Sequence, residues 1–431
     1  MRIVKIIVLF LAIGSSSPSM AEQAIKNPLH LTLKRALEMA KLNNAQVIAT
    51  NERVRQALAD MFISRAALLP QLTGIFGGRR QTEDLRTSGI RLPGNPHTGP
   101  FNSFDTRGRL TMEIFDMAAV QRLEAAKAGH KLSQAELLKV RQDVLALVGA
   151  MFLEAQRADE SVGLIKTNLR QMQLQYDIVK TRYKQGTASF SDLDKASVDL
   201  AQAQYSLSAY RTHARQMRLD LVAALKIPLD QPIIFEDDTS WLKKGTTAGT
   251  SPDVILAQNQ LLQSRANEKA VQASFLPSIV ASGDYGRSGQ TPSAASNTYT
   301  LGVSVSVPVW EGGLKQAQLE QAKSKVRENE ILLADAKDQN QVKIKEALDS
   351  VHEAQRLLNA KLQQLKYAQH EWAVAKDRLK SGLGSQQELD AAESVRAFAE
   401  DDKNEAQAVY WTAKLNLAHT MGRIEELFDI Q

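Results

Sequence analysis

The 431-residue chain contains no cysteine. It therefore has no disulfide bonds, no thiolate metal site and no cysteine that could carry an N-terminal lipid. Aromatic residues make up only 6% of the chain, and the remaining composition leans towards helix formers such as Ala, Leu, Gln, Lys and Glu. The formal net charge of +5 is too balanced to predict nucleic acid as a partner.

Long apolar runs are missing as well. The first 21 residues have the three parts of a secretory signal peptide: a basic start, a short apolar core and the small-x-small site Ser19-Met20-Ala21. We therefore predict that residues 1–21 are removed and that the mature chain begins near Glu22. No later stretch reaches the roughly 20 apolar residues that cross a bilayer as a helix. The sequence thus predicts an exported chain without a helical membrane anchor.

The chain contains an internal repeat. Residues 182–194 align without gaps on residues 378–390, at an offset of 196, and Leu69-Pro70 aligns with Leu276-Pro277 at an offset of 207. The first half therefore has about eleven additional residues, around positions 87–101, which predict an enlarged loop. The predicted organisation is a first strand-and-helix repeat at 22–226, a linker or equatorial segment at 227–250, and a second repeat at 251–431 with a C-terminal equatorial segment.

Each repeat has the pattern of one helix, a pair of strands and two long helices. The first helices, over residues 33–68 and 254–274, end before a Leu-Pro pair, because proline cannot donate into a helix and restricts the residue before it. Apolar residues at heptad spacing then predict long coiled-coil helices. One of these, over residues 120–182, would be roughly 95 Å long.

Apolar residues alternate with small or polar ones in the predicted strands. The clearest strand covers residues 299–309, and its counterparts lie at 109–114, 71–80 and 278–287. Such strands suit either a soluble sheet packed on its apolar face or a membrane β-barrel with that face towards lipid. The smallest single-chain outer-membrane barrels have about 8 strands, so four strands would have to be pooled with those of other copies.

The predicted fold class is mainly α with a membrane β-barrel portion, built from two tandem repeats that each contain two β-strands and long coiled-coil helices. Trp310, Phe115 and Tyr299 lie near predicted strand ends. Aromatic rings suit the interface between outer-membrane lipid and water. Long helices leaving one end of a barrel would continue the tube, which predicts a channel.

These features together resemble the TolC family of outer-membrane efflux proteins, over essentially the whole mature chain. The resemblance rests on the order of the signal peptide, the repeat, the Leu-Pro pairs, the segment at 307–313 and the Arg-Tyr-x-x-Gly-Thr pattern at 182–187. It implies a homotrimer with a 12-stranded barrel in the outer membrane and a periplasmic tunnel of twelve helices. It also implies the passive exit duct of a tripartite efflux or type I secretion system, without a cofactor, partnered by a periplasmic adaptor (membrane fusion) protein and an inner-membrane RND, ABC or MFS pump.

The resemblance also carries candidate site residues. The helix-hairpin tips that contact the adaptor are implied to be Gly186, Thr187, Gly382 and Leu383. The periplasmic gate, or constriction, is implied to involve Asp192, Glu388, Arg182, Tyr183 and Arg378. Two acids per chain would give a trimer six carboxylates around a narrow pore, which favours cations. The alternative is that each acid only stabilises a helix N-terminus.

The residues do not form a catalytic or metal-binding pattern. None of the seven histidines forms an i, i+4 pair around a carboxylate. We therefore predict that the chain is not an enzyme. The alternative from another class is a soluble periplasmic coiled-coil adaptor or scaffold, against which the second repeat argues. The sequence leaves the cargo open between drugs, metal ions and proteins.

Overall fold

The computed structural model describes residues 28–84, 89, 97–237, 240–243 and 249–430. The predicted signal peptide and most of the predicted enlarged loop lie outside the described residues. The strands, in chain order, are β1 (Leu29–Thr32), β2 (Gln71–Asp84), β3 (His97–Asp116), β4 (Ile233–Glu236), β5 (Ser278–Gly289) and β6 (Ser296–Ser306). The α-helices are α1 (Leu33–Asn43), α2 (Ala45–Ala66), α3 (Met117–Lys184), α4 (Phe190–Leu225), α5 (Pro252–Ala273), α6 (Leu314–Lys380), α7 (Gln386–Thr420) and α8 (Ile424–Leu427).

Four strands form one antiparallel sheet in the order β2, β3, β5, β6. One row of facing residues across this sheet consists of Leu72, Leu110, Gly283 and Leu301. The next row, on the opposite face, consists of Thr73, Arg109, Asp284 and Thr300. The first face is apolar and open, since Leu72 and Leu301 are both 78% exposed. The predicted alternation between an apolar and a polar face is therefore confirmed.

The polar face carries an ion-pair cluster. Nη1 of Arg107 lies 2.8 Å from Oδ1 of Asp284, and Nε of Arg107 lies 2.8 Å from Oδ2 of Asp105. Asp105 and Arg107 share this face because they are two residues apart on β3. Three charges on the polar face, those of Asp105, Arg107 and Asp284, are thus paired with one another within the chain.

Two long helices leave this sheet, and each forms a hairpin with a shorter one. Helix α3 has 68 residues and turns into α4, and α6 has 67 residues and turns into α7. At 1.5 Å per residue each long helix is roughly 100 Å long. No helix among the described residues is long and apolar enough to cross a membrane.

The shorter helices stack end to end beside the long ones. The Asn44 side chain, at the start of α2, donates to the Ala224 carbonyl near the end of α4, at 3.5 Å. In the second half Gly422, just after α7, is so close to α5 that an added Cβ would lie 3.0 Å from Cδ of Pro252. Each half therefore pairs one long helix with a column made of two short ones.

The main buried core lies at mid-height, in a region that we call the waist. Strands β1 and β4 pair in parallel there, and Trp241 packs edge-on against Trp411 at 6.5 Å between ring centroids and tilted against Phe428 at 5.0 Å. The helices contribute buried residues that include Leu145, Val148, Phe152, Leu221, Leu225, Leu415 and Ala418. The described part of the predicted 227–250 segment is thus built into this core.

The structure differs from the sequence prediction at three points. The single helix over 33–68 is wrong, because Asn44 ends α1 and caps α2 by accepting from the N–H of Gln46 at 2.9 Å. The strand over 299–309 ends at Ser306, before Pro308, which has no N–H to give to a ladder. The count of four strands missed β1 and β4, which belong to the waist rather than to the large sheet.

Candidate gate at the hairpin tips

The tip of the first hairpin closes around Gly186. Its φ is +71°, and its N–H donates to the Tyr183 carbonyl at 3.0 Å. The Thr187 N–H and hydroxyl both donate to the Arg182 carbonyl, at 2.8 and 3.0 Å. A glycine in the left-handed region is the usual way to end a helix with such a pair of backbone bonds, because it has no Cβ to clash.

The second tip repeats this backbone geometry. Gly382 has a φ of +73°, and the N–H of Leu383 donates to the Arg378 carbonyl at 2.9 Å. Leu383 cannot reproduce the hydroxyl bond of Thr187 and is 76% exposed. The two tips thus share a backbone and present different side chains.

Asp192 forms a complete capping box with Ser189. The Ser189 hydroxyl accepts from the Asp192 N–H at 3.1 Å, and the Asp192 carboxylate accepts from the Ser189 hydroxyl at 2.7 Å and from its N–H at 2.9 Å. These hydrogen bonds hold the pKa of Asp192 below its usual value. The proposed gate acid therefore also stabilises the start of α4.

Glu388 occupies the equivalent position with a different set of contacts. Ser385 accepts from the Glu388 N–H at 3.2 Å, so the cap runs in one direction, and the Glu388 carboxylate lies 3.9 Å from Nη2 of Arg378. Both side chains of this ion pair are about half exposed, where such pairs contribute little stability. The Glu388 carboxylate is thus held less tightly than that of Asp192.

The structure brings Arg182, Tyr183 and Asp192 to one tip and Arg378 and Glu388 to the other. Within the described chain Arg182 has no ion pair like that of Arg378. The Tyr183 ring lies edge-on to Phe190 at 6.4 Å, and Phe190 is 68% exposed. Phe190 was not among the predicted gate residues, although an aromatic residue four positions after the tip glycine was a signal in the sequence.

The three aromatic residues predicted for the membrane interface lie at two levels. Phe115 and Trp310 flank the junctions where strands pass into α3 and α6, and Trp310 is 81% exposed. Tyr299 lies near the start of β6, paired with Tyr285, and is 74% exposed. Their exposure fits contact with lipid, and the role remains a prediction.

Comparison with known proteins decides the family. The sequence profile of the family described as outer membrane efflux protein matches residues 36–225 and 246–423, which include both hairpins. The chain belongs to this family. Its members are outer-membrane channel proteins rather than enzymes.

Individual members of the family are distant from this chain. It is 27% identical over 257 residues to the toluene efflux pump outer membrane protein TtgF of Pseudomonas putida, covering 57% of this chain and 52% of TtgF. The chain thus spans about half the length of that relative. It is 24% identical over 391 residues to the pyoverdine export outer membrane protein OpmQ of Pseudomonas aeruginosa, covering 86% of this chain and 81% of OpmQ.

The fold is shared with solved structures. The outer membrane channel CmeC of Campylobacter jejuni is 17% identical, with a TM-score of 0.75 over 90% of this chain and 85% of CmeC. Together with the family assignment, this similarity confirms the predicted resemblance and the predicted fold of long helices on a sheet. Outer-membrane localisation is confirmed at the level of the family.

The difference between the two helix caps predicts that the backbone of the first tip is better protected from local opening than that of the second. We expect amides of residues 189–192 to exchange hydrogen more slowly than those of 385–388, because only the first tip has a reciprocal capping box. The pKa of Asp192 is depressed in the folded chain, so this protection is present above its ordinary value of 3.8 and is lost as the pH falls through the lower folded value. Hydrogen exchange with mass spectrometry measures both effects.

Asp192→Ala should remove the difference between the tips, while Asp194→Ala, two residues along the same helix, should leave it unchanged. Equal protection of both tips in the unsubstituted protein would contradict the prediction.

Proposed function

We propose that this chain forms the outer-membrane exit duct of a tripartite efflux or type I secretion system. It acts as a passive conduit: an inner-membrane pump of the RND, ABC or MFS class supplies the energy, and a periplasmic adaptor connects the two. The working unit is a homotrimer whose barrel crosses the outer membrane and whose helices form a tunnel in the periplasm. The observation that carries this proposal is the open sheet.

In the part of the chain that the structure describes, the sheet has two unpaired edges and one apolar open face. Its edges are β2 and β6, whose N–H and C=O groups need partners in a membrane, where water cannot supply them. Because four strands alternate in direction, β6 of one copy is antiparallel to β2 of the next. Copies can therefore continue the same ladder until it closes, and three copies give the 12 strands that the family resemblance implies.

The helices support the same assembly. At the level of the sheet the lateral order of helices is α2, α3, α5, α6, and near the tips it is α4, α3, α7, α6. The outer helices of this wall carry large apolar side chains that no described residue of the chain covers: Phe62, Ile63, Val198 and Tyr205 on α2 and α4, and Ile331, Val342 and Tyr367 on α6. Contact between neighbouring copies would bury both edges and give a ring of twelve helices at each level.

The hairpin tips are the surface proposed for the adaptor. Gly186 and Thr187 on one tip and Gly382 and Leu383 on the other lie at the end of the helices farthest from the sheet. The acids Asp192 and Glu388, with Arg182, Tyr183 and Arg378 beside them, would form the gate there. The names of TtgF and OpmQ refer to toluene and pyoverdine, which differ chemically, so similarity to them does not select a cargo.

A channel of this kind should conduct ions on its own. We expect the purified membrane fraction to give an oligomer that dissociates only on heating before gel electrophoresis, and discrete conductance steps in planar lipid bilayers. A water-soluble monomer without conductance would contradict the exit duct and favour the adaptor or scaffold alternative.

The gate acids should control that conductance. Replacing Asp192 and Glu388 together by Ala should raise conductance and weaken block by divalent cations, because a ring of carboxylates attracts cations at a narrow opening. Asp192→Asn with Glu388→Gln separates charge from capping, since an amide oxygen can still accept from Ser189.

The matched control for the gate is Asp194→Ala with Asp390→Ala, which removes the same charge one turn or less away. The gate role would be contradicted if the Ala pair and the Asn/Gln pair both left conductance and divalent-cation block unchanged. Asp192 and Glu388 would then act only as helix caps.

The closed sheet can be tested with introduced cysteines, because the chain has none of its own. Thr73 on β2 and Thr300 on β6 lie in one row across four strands, so within a chain they are about 14 Å apart at 4.8 Å per strand. That is too far for a disulfide, which needs Cα atoms within about 7 Å. Any disulfide between these strands must therefore join two copies.

We expect Thr73→Cys combined with a second Cys on the polar face of β6 to give covalent dimers and trimers on oxidation, for at least one pairing. Because closing a sheet into a barrel staggers its strands, the second Cys is tested at every polar-face position of β6: Ser296, Thr298, Thr300, Gly302, Ser304 and Ser306. The single-cysteine variants are the controls and should stay monomeric in denaturing gels. Absence of crosslinks from all six pairings, or a ladder of products that continues beyond three chains, would contradict a closed trimer.

A further inference from the structure

A crevice of about 170 Å³ lies between the two hairpins, part-way from the waist to the tips. Three helices enclose it: α3 and α4 from the first hairpin and α7 from the second. Its lining consists of Leu164, Ile165, Asn168, Gln171, Tyr210, Ser394, Ala397, Phe398 and Asp401. None of these residues belongs to the tips or to the waist core.

Hydrogen bonds between the hairpins mark both ends of the crevice. On the waist side, the buried Ser161 hydroxyl donates to Oδ1 of Asp401 at 3.0 Å. On the tip side, the Gln171 amide donates to the Asp390 carbonyl at 3.4 Å, and the Ser394 hydroxyl donates to the Gln171 amide oxygen. The two ends are ten residues apart on α3, or about 15 Å. Over this length the hairpins are separated by a gap, whereas at the waist packed side chains fill the space between them.

The lining combines an apolar floor with available polar groups. Leu164, Ile165 and Phe398 supply the apolar surface. Within the described chain, the Asn168 amide and the Tyr210 hydroxyl form no hydrogen bond with another group. Asp401 adds a carboxylate whose hydrogen bond from Ser161 uses one oxygen. A ligand that donates a hydrogen bond would therefore find acceptors at the rim.

The volume sets the size of the ligand. An apolar protein cavity of about 150 Å³ is large enough to hold benzene. A crevice of 170 Å³ therefore has room for one six-membered ring with a small substituent. Larger fused-ring compounds would have to push α7 away from α3.

We propose that this crevice binds a single-ring aromatic compound with a hydrogen-bond donor, of the phenol class, and that the bound ring holds the two hairpins together. The ring would contact α3, α4 and α7 at once, so binding stabilises the arrangement described here relative to any arrangement in which α7 leaves α3. The binding site is inferred from the crevice alone and does not depend on the proposed function. The effect of the bound ring on a gate rests on the proposed function.

The direct test is crystallography of the detergent-purified protein soaked with 4-bromophenol. We expect anomalous density for bromine between α3, α4 and α7. In Ala397→Leu, which fills the crevice with a larger side chain, that density should disappear. Ala373→Leu is the matched control, because it makes the same change at an exposed position of α6 that does not line the crevice.

Absence of bromine from the crevice of the unsubstituted protein, or bromine there despite Ala397→Leu, would overturn the proposal. If Ala397→Leu does not assemble, Asn168→Leu serves as the second variant, since it also fills the crevice and removes the unpaired amide. Bromine that persists in Asn168→Leu would count against the site in the same way.

Conductance in planar bilayers tests the consequence for the hairpins. We expect 4-bromophenol to lower the conductance of the unsubstituted channel and of Ala373→Leu in a saturable way, with little effect on Ala397→Leu. An equal response in all three would overturn the hairpin-bridging role. Bromine in the crevice of a protein that never conducts would instead contradict the exit duct and leave the binding site standing.

Discussion

The edges of the large sheet impose the main constraint on this molecule. Strands β2 and β6 each leave a row of N–H and C=O groups without partners among the described residues, and in a bilayer each unsatisfied group costs several kcal/mol. The alternating strand directions make the two edges complementary, and the open apolar face would contact lipid. Pairing edge to edge would also bring α6 of one copy beside α2 and α4 of the next. The wall of helices would thus follow from the closure of the sheet.

The densest packing of buried side chains lies at the waist, away from both the large sheet and the hairpin tips. The waist holds the largest fully buried side chains, including Trp241, Phe152 and Leu145. Towards the tips, α3 and α7 are joined by hydrogen bonds around a crevice, and the buried side chains there are mainly alanines such as Ala203 and Ala399. Small side chains and a gap offer less dispersion and apolar burial than the waist core. The hairpins are therefore expected to separate near the tips at less cost than at the waist.

The two hairpins are similar in backbone and different in side-chain chemistry. Gly186 and Gly382 close the same turn, but Asp192 is held by a reciprocal capping box, whereas Glu388 keeps a nearly free carboxylate beside Arg378. Capping and a gate role do not exclude each other, because a capped carboxylate retains its charge. The two tips thus share one backbone turn and differ in how firmly their acidic side chains are held.

The sequence by itself determined the repeat, the alternating strands and the long helices, because each depends on the spacing of residues within one segment or between two similar segments. It missed the parallel pairing of β1 with β4, since Leu29 and Ile233 are far apart in the chain and each strand has only four residues. It also missed the break at Asn44, where a contact with Ala224 of another helix accompanies the local cap. The crevice and the different environments of Asp192 and Glu388 were decided only by the tertiary structure, because they depend on how side chains from separate helices meet.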